Sequence, residues 1–262
     1  DVNIPDTPGM IDYFVRPMGG IRSRLSRSES ESFARISAMS FRARAAGVIT
    51  EPLNEGSLNI LADCRLTASV AGGAFKFTVT SPYMLARTLL DRQYGKIEAV
   101  TMAIAEVLAA QVAGLPCDCL QVDEANLPGS PEHWKLTADA INTVLRAYTG
   151  PRKSVHLCFG NYGGQTIQKG TWKSLIDFLN LLEADHVLLE CAHRGDDDLV
   201  QLSEVRPELG LGIGVVDIKI NHIETADEIA RRIENAEHIL GAGRVRWICP
   251  GCGFWMLKRS VA

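Results

Sequence analysis

The sequence contains few aromatic residues, no excess of basic charge and no long apolar run. Phe, Trp and Tyr make up 6% of the 262 residues, within an otherwise ordinary globular composition. Lys and Arg number 27 against 31 Asp and Glu, so a surface that attracts nucleic acid or anionic lipid is not expected. The apolar runs are a few residues long, whereas a membrane-spanning helix needs roughly 20. We therefore expect a globular protein with neither nucleic acid nor membrane as a partner.

The cysteines do not form the pattern of a secreted protein. There are seven, an odd number, and they are spread over a chain of medium size. A secreted disulfide framework would instead pair an even number of cysteines within a short chain. The cysteine usage therefore predicts a reducing compartment, the cytoplasm.

From about Phe75 onward, short apolar runs alternate with longer amphipathic stretches, the pattern of βα units in a parallel sheet. Six strands are predicted, at Phe75–Thr80, Cys119–Asp123, Ser154–Cys158, His186–Glu190, Gly212–Ile218 and Val245–Cys249. The helices predicted between them are Ser81–Gly114 with a break near Gly95, Pro131–Tyr148, Thr171–Leu182, Asp196–Arg206 and Thr225–Leu240.

Repeated βα units are compatible with a closed eight-stranded barrel or an open doubly wound sheet. Nearly every predicted strand ends in polar side chains that can carry chemistry, and only a barrel brings all such ends to one mouth. We therefore predict an α/β fold of the TIM (β/α)₈ barrel type over residues 75–262. Residues 1–74 form an irregular or helical segment, with a polar helix at Arg22–Ala46 and a strand pair or excursion at Leu58–Ser69. The first barrel strands are thus expected to be missing or irregular in this chain.

The strongest local motif is His156-Leu157-Cys158 at the end of a predicted strand. Residues two apart on a strand point to the same side, so the imidazole and the sulfur can bind one ion. An isolated motif of this kind is more often a matter of ordinary packing. Glu190 ends another apolar run and offers a harder ligand for a nitrogen and sulfur site suited to Zn²⁺, or a buried partner for Arg194.

A second cysteine motif, Cys249-Pro250-Gly251-Cys252, follows the last predicted strand. It is compatible with half of a structural zinc site, a dithiol redox pair, or a loop with one functional thiol. A zinc ribbon would need a second Cys-x-x-Cys, and the other close pair, Cys117 and Cys119, has the wrong spacing. A redox pair is less favoured because thioredoxin-like motifs open a helix early in their fold.

Taken together, five motifs resemble the catalytic half of cobalamin-independent methionine synthase over residues 75–254. They are Gln121–Glu124, His156–Cys158, Glu190 with the Asp-rich stretch after it, Gly212–Asp217 and Pro250–Gly253. The resemblance implies a TIM barrel that activates a thiol for alkylation, with Zn²⁺ bound by His156, Cys158, Glu190 and Cys252. It implies no ligand role for Cys249, because the family usually carries Asn there. It also implies βα units ahead of the region present here.

Two positions depart from that family. Methionine synthases usually have a His two residues after the Asp of the Gly-Val-x-Asp motif, where this chain has Lys219 after Asp217. Asn126 stands in place of the usual Pro-containing turn. The lysine and the His-x-Cys-Phe-Gly-Asn segment at 156–161 are more similar to short single-barrel relatives, which include epoxyalkane:coenzyme M transferase.

We therefore expect zinc-dependent transfer of a methyl or other alkyl group to a small thiol. The thiol is homocysteine, as in methionine biosynthesis, or one like coenzyme M. Catalytic roles are predicted for Asp123, Asp217 and Lys219, and Asp123 with Glu124 is expected to anchor a cationic group of the substrate. Structural roles fit equally well: carboxylates at the barrel mouth, and an ion pair of Lys219 with Asp217 or Glu224.

Two other functions remain open at the level of sequence. The chain is also compatible with a zinc-binding remnant that has lost catalysis, or with a dithiol redox protein that uses Cys249 and Cys252. The sequence identifies neither the alkyl donor nor the oligomeric state, and it leaves room for a homo-oligomer.

Overall fold

The computed structural model describes residues 9–36, 44–160 and 168–254. Strands and helices alternate along these ranges, and most of the strand pairs run parallel. The described strands are β1 (Gly19–Arg22), β2 (Gly47–Asn54), β3 (Lys76–Thr80), β4 (Leu89–Asp91), β5 (Cys119–Glu124), β6 (Lys153–Leu157), β7 (His186–Leu189), β8 (Gly210–Val216) and β9 (Val245–Pro250). The described helices are α1 (Asp12–Val15), α2 (Arg27–Ile36), α3 (Ile60–Ala71), α4 (Pro82–Ala86), α5 (Ile97–Val112), α6 (Trp134–Ala147), α7 (Ile176–Leu181), α8 (Asp196–Gln201) and α9 (Ala226–Leu240). None of these helices is long and apolar enough to cross a membrane.

The described residues fall into two compact units. The amino-terminal unit comprises 9–123 and 136–153, and the carboxyl-terminal unit comprises 124–135 and 154–254. In the amino-terminal unit, β2 pairs with β1 antiparallel and with β4 parallel. In the same unit β3 runs parallel to β5, with Thr80 opposite Asp123. The predicted boundary between residues 74 and 75 stays a prediction.

The carboxyl-terminal unit is built on four neighbouring parallel strands, β6 to β9. Their core-facing residues are almost wholly inaccessible to solvent, and include Val155, Leu157, Val187, Leu189 and Leu211 at 0% exposure. All five lie on one face of the sheet, because residues two apart on a strand and residues paired across neighbouring parallel strands point the same way. Because parallel strands end at the same edge of the sheet, residues that directly follow β6, β7 and β8 lie on one side of it.

The six predicted strands are all present. The largest shift is in β8, which begins and ends two residues earlier than predicted. It ends there because the Oδ1 atom of Asp217 accepts the backbone N–H of Lys219 at 2.9 Å, which closes a turn. The predicted break near Gly95 is also confirmed: this residue has φ +76° and lies two residues before α5 begins.

The segment before residue 75 differs from the prediction. Where a strand pair or excursion was expected at Leu58–Ser69, the chain forms α3, with the Asn59 side chain accepting the N–H of Ala62 at 3.1 Å. The predicted helix at Arg22–Ala46 is confirmed only over α2, and residues 37–43 lie outside the described ranges. The strands β1, β2 and β4 were not predicted, because each contains too few apolar residues to be recognised as a strand from the sequence.

Candidate metal centre

Three of the predicted ligands meet in the carboxyl-terminal unit. His156 lies in β6, Cys158 directly follows that strand, and Cys252 lies two residues after β9. Their ligand atoms all lie within 4.8 Å of one another, and the two sulfurs are 3.8 Å apart. Two sulfurs bound tetrahedrally to one Zn²⁺, each at about 2.3 Å, are separated by roughly 3.8 Å. The donor set and its spacing therefore fit a zinc ion.

A close approach of two strands positions Cys252. The backbone N–H of Gly251 donates to the carbonyl of Val216 at 2.9 Å, just after β8 and β9 end. A Cβ atom at Gly214 in β8 would lie 2.7 Å from the Cα atom of Gly251, a distance that real Cβ atoms do not tolerate. Glycine at 214 therefore allows the turn that carries Cys252 to reach the end of β6.

The imidazole of His156 is oriented by the backbone of β7. Its Nδ1 atom lies 3.1 Å from the carbonyl oxygen of Leu188. A carbonyl only accepts hydrogen bonds, so Nδ1 carries a proton and Nε2 is the ring nitrogen that can bind a metal once it is deprotonated. A backbone carbonyl on the other ring nitrogen is the usual outer partner of a metal-binding histidine.

The two thiols differ strongly in acidity. The hydrogen bond with Cys158 lowers the pKa of Cys252 to about 4, and the His156 imidazole adds to this effect against that of burial. The same thiol pairing, followed by burial, raises the pKa of Cys158 well above its usual range. The shared hydrogen bond thus favours a single negative charge on the pair, which suits it to bind a cation.

Glu190, the fourth predicted ligand, directly follows β7 and is fully buried. Among the described residues it is not a member of the group with ligand atoms within 4.8 Å. Its Oε1 atom pairs with the ammonium of Lys219 and lies 3.0 Å from Nε2 of His193. Its Oε2 atom accepts the backbone N–H of Phe159 at 3.0 Å. Burial opposes ionisation, but the hydrogen bonds from His193 and Lys219 outweigh it and lower the pKa of Glu190.

Lys219 reaches the centre from the turn after β8. Its ammonium contacts Glu190 and donates to the carbonyl oxygen of Gly160 at 3.0 Å. Asp217 is buried and forms the turn below it: its N–H donates to the Glu224 carboxylate at 2.7 Å. Glu224 in turn pairs with Arg232 at 2.6 Å. Sequence reasoning did not identify Glu190 as the partner of Lys219.

Asp123 and Glu124 are separated between the two units. In the amino-terminal unit, the Asp123 carboxylate accepts the Gln121 amide at 2.7 Å, and Gln121 accepts the ammonium of Lys76 at 2.8 Å. In the carboxyl-terminal unit, Glu124 is fully buried, and its Oε1 atom accepts two backbone N–H groups of the following turn at 2.6 and 2.9 Å. Their substrate roles stay predictions.

Sequence reasoning missed two contributors to the centre. His193, which it set aside, contacts Glu190, and its position three residues after a buried carboxylate was the available signal. The turn Cys158–Gly160 supplies a sulfur, the N–H that binds Glu190 and the carbonyl that binds Lys219. Gly160 has φ +85°, a backbone conformation that favours glycine. Arg194 stacks over the Phe159 ring at 3.9 Å and pairs with Asp198, not with Glu190 as one interpretation had it.

Comparison with known proteins identifies the class to which this fold and site belong. The family model described as "Cobalamin-independent synthase, Catalytic domain" matches residues 9–262. The chain belongs to this family, and the resemblance stated from its motifs is confirmed.

Particular relatives are of two kinds. The chain is 30% identical over 190 residues to a methionine synthase of Pyrococcus abyssi, covering 71% of this chain and 52% of that protein. It is 25% identical over 248 residues to a 2-hydroxypropyl-CoM lyase of Xanthobacter autotrophicus, covering 83% of this chain and 65% of that protein. The chain thus spans between about half and two thirds of the length of these relatives.

A solved structure shows the same fold. The chain is similar to a B12-independent methionine synthase from Shewanella sp. W3-18-1 in complex with selenomethionine. The TM-score is 0.79 with 18% identity, over 96% of this chain and 74% of that one. The fold is therefore an α/β fold with mostly parallel strands, like that of this structure.

Proposed function

We propose that this protein is a zinc-dependent transferase that moves a methyl or other alkyl group onto a small thiol, on a TIM barrel. The observation that carries the proposal is the cluster of a His156 ring nitrogen with the sulfurs of Cys158 and Cys252, within 4.8 Å of one another. The family membership and the two kinds of relative support the same chemistry. Glu190, the fourth ligand predicted from the sequence, stays a prediction.

The donor set favours alkylation of sulfur over hydrolysis. Zn²⁺ held by these residues would supply one effect, the conversion of a substrate thiol into a bound thiolate. Two cysteine thiolates and a neutral imidazole offset the charge of a divalent cation, and so leave a substrate thiolate nucleophilic enough to attack carbon. Hydrolytic sites instead tend to use histidine-rich or carboxylate ligands around an open water position.

The neighbouring charges have defined tasks under this proposal. Asp123 and Glu124 would anchor the ammonium of an amino-acid thiol such as homocysteine. Lys219 would give a proton to the leaving group, or neutralise a carboxylate or the sulfonate of a thiol like coenzyme M. Asp217 holds the turn that presents this lysine. The acidic pair and the lysine thus favour different thiols, and an assay that offers both separates them.

The metal is tested first, by elemental analysis of the purified protein and of single cysteine variants. Cys158→Ser and Cys252→Ser are expected to lose bound zinc, because each removes a thiolate from a three-donor cluster. Cys249→Ser is the matched control from the same Cys-x-x-Cys motif and is expected to retain zinc. Retention of zinc by Cys252→Ser would contradict the proposed site, and loss of activity in both Cys249→Ser and Cys252→Ser, with zinc retained in both, would favour the dithiol redox alternative.

The reaction is tested on the zinc-loaded protein with homocysteine and coenzyme M offered in parallel, each with a panel of methyl donors and epoxides. Formation of a thioether that depends on Cys158 and Cys252 is the expected result. Zinc bound in the expected ratio without any thioether from this panel would favour the alternative of a non-catalytic zinc-binding protein.

A further inference from the structure

The buried carboxylate of Glu190 has partners on both oxygens. Oε1 pairs with the Lys219 ammonium and with Nε2 of His193, and Oε2 accepts the N–H of Phe159. The ligand cluster of His156 and the two cysteines forms without it among the described residues. This carboxylate is therefore placed as a counter-ion within the centre, close to the metal ligands but turned to other partners.

The ion pair with Glu190 stabilises the buried ammonium of Lys219. Its side chain is only 7% exposed, and it pairs with the carboxylate of Glu190. A buried ammonium is stable only with a counter-ion and satisfied hydrogen bonds. If Glu190 moved away to bind a metal, this ion pair would break inside the protein, and the N–H of Phe159 would lose its acceptor. Binding of Glu190 to the cation would thus work against its present contacts.

The balance of charge also argues against Glu190 as a ligand of the metal. A divalent cation with two thiolates and one neutral imidazole has no net charge, and the Lys219–Glu190 pair beside it also has none. A fourth anionic ligand would therefore give the metal and its ligands one net negative charge. If Glu190 were that anion, an incoming thiolate would have to displace it or add a second negative charge.

Building on the proposed zinc-dependent function, we propose that Lys219 withholds Glu190 from the metal and so reserves the fourth coordination position for the substrate thiol. Lys219 acts here as a positioning residue, through Glu190, and this assignment replaces its role as a proton donor or anion partner. The chain departs from the motif of methionine synthases at this position, so the arrangement belongs to chains with lysine there.

Cobalt(II) is the probe, because its absorption bands report the number of thiolate ligands and the coordination geometry without any turnover. Glu190→Gln keeps the size of the side chain and an acceptor for Phe159, and is expected to bind Co²⁺ within about threefold of the unmodified protein with the same spectrum. Lys219→Met releases the carboxylate. It is expected to tighten Co²⁺ binding by about tenfold, to shift the ligand-field bands, and to weaken the new sulfur-to-cobalt band that coenzyme M or homocysteine produces.

The proposal is overturned if Glu190→Gln weakens Co²⁺ binding by about tenfold or more while Lys219→Met leaves affinity and spectrum unchanged, because Glu190 is then a ligand. The double variant Glu190→Gln/Lys219→Met removes both charges, so it leaves no unpaired buried lysine that could destabilise the fold. Its Co²⁺ affinity and spectrum should match those of Glu190→Gln. Circular dichroism confirms the fold of each variant. A failure of the proposed function gives a different result. The unmodified protein then binds no Co²⁺, or the Cys252→Ser variant binds Co²⁺ as tightly as the unmodified protein does.

Discussion

At the residue scale, the centre depends on positions that a single sequence reveals unevenly. His156 and Cys158 could be predicted because a two-residue spacing on a strand places both side chains on one face. Cys252 could be predicted only as part of a Cys-x-x-Cys motif with several meanings. The pairing of Glu190 with Lys219 and His193 could not be predicted, because it depends on how β7 and the turn after β8 lie in space.

Glycine at position 214 is a strict steric requirement of this site. Gly214→Ala would place a methyl group 2.7 Å from the Gly251 backbone, so β8 and β9 must separate. We expect a loss of about 1–3 kcal/mol in the free energy of unfolding, typical of overpacking, together with weaker zinc binding because Cys252 moves. Urea denaturation and a zinc competition titration measure the two effects.

Gly251→Ala, directly after the facing strand β9, is the matched control. Its new methyl group would meet its nearest neighbour, the carbonyl oxygen of Val216, at 3.4 Å, which is ordinary contact. We expect a clearly smaller loss of stability and of zinc affinity than in Gly214→Ala. Equal effects of the two substitutions would show that the close approach at Gly214 does not position Cys252.

At the scale of elements, prediction succeeded where apolar residues are concentrated. The strands β5 to β9 and the helix α9 have continuous apolar runs or a clear helical period, and these signals depend on sequence alone. The helix α3 was mistaken for strands because Leu66 and Val70 on its exposed face add apolar residues to what would otherwise be an amphipathic pattern. Its terminal signals, Asn59 before it and Gly72 after it with φ +64°, identify it as a helix in retrospect.

The helix α9 begins with a capping box that predicts a pH dependence. Glu228 accepts the backbone N–H of Thr225 at 2.7 Å and its hydroxyl at 2.9 Å, and these bonds lower the pKa of Glu228 to about 2 from its ordinary 4.5. A carboxyl that is more acidic in the folded chain stabilises it fully above pH 4.5, and this contribution fades as pH falls toward about 2. Glu228→Ala is therefore expected to lower the urea midpoint more at pH 7 than at pH 3.

Glu234→Ala on the same helix is the control for that experiment. Glu234 is exposed and lies outside the first turn of α9, so its removal should change the midpoint little at either pH. The pH dependence attributed to the capping box is refuted if the loss in Glu228→Ala is as large at pH 3 as at pH 7.

At the scale of the whole molecule, the proposed metal site links parts of the chain that are far apart in sequence. Cys158 and Cys252 are separated by 94 positions, yet their sulfurs lie 3.8 Å apart. The α/β class and the family were within reach of the sequence, since five motifs in order are far more specific than any one. Closure of the sheet into a barrel could not be predicted from the sequence, because it depends on strand pairings that no motif encodes.

Zinc is expected to stabilise the folded protein through these distant ligands. A ligand that binds only the folded state adds about 2.7 kcal/mol when its free concentration is 100 times the Kd. For a chain of this length, a rise in Tm of roughly 5–10 °C follows. Differential scanning calorimetry with and without zinc, and after chelation, measures it. Cys252→Ser should show no such rise, and a rise of the same size in that variant would place the stabilising zinc elsewhere.

The turn at Cys158–Gly160 has a consequence for how this protein can change over evolutionary time. Three adjacent residues tie together a sulfur, a carboxylate and an ammonium from three different stretches of the chain. A one-residue insertion there would disconnect all three at once. Directed evolution toward new acceptors should therefore accumulate its changes on other loops and leave the length of this turn untouched.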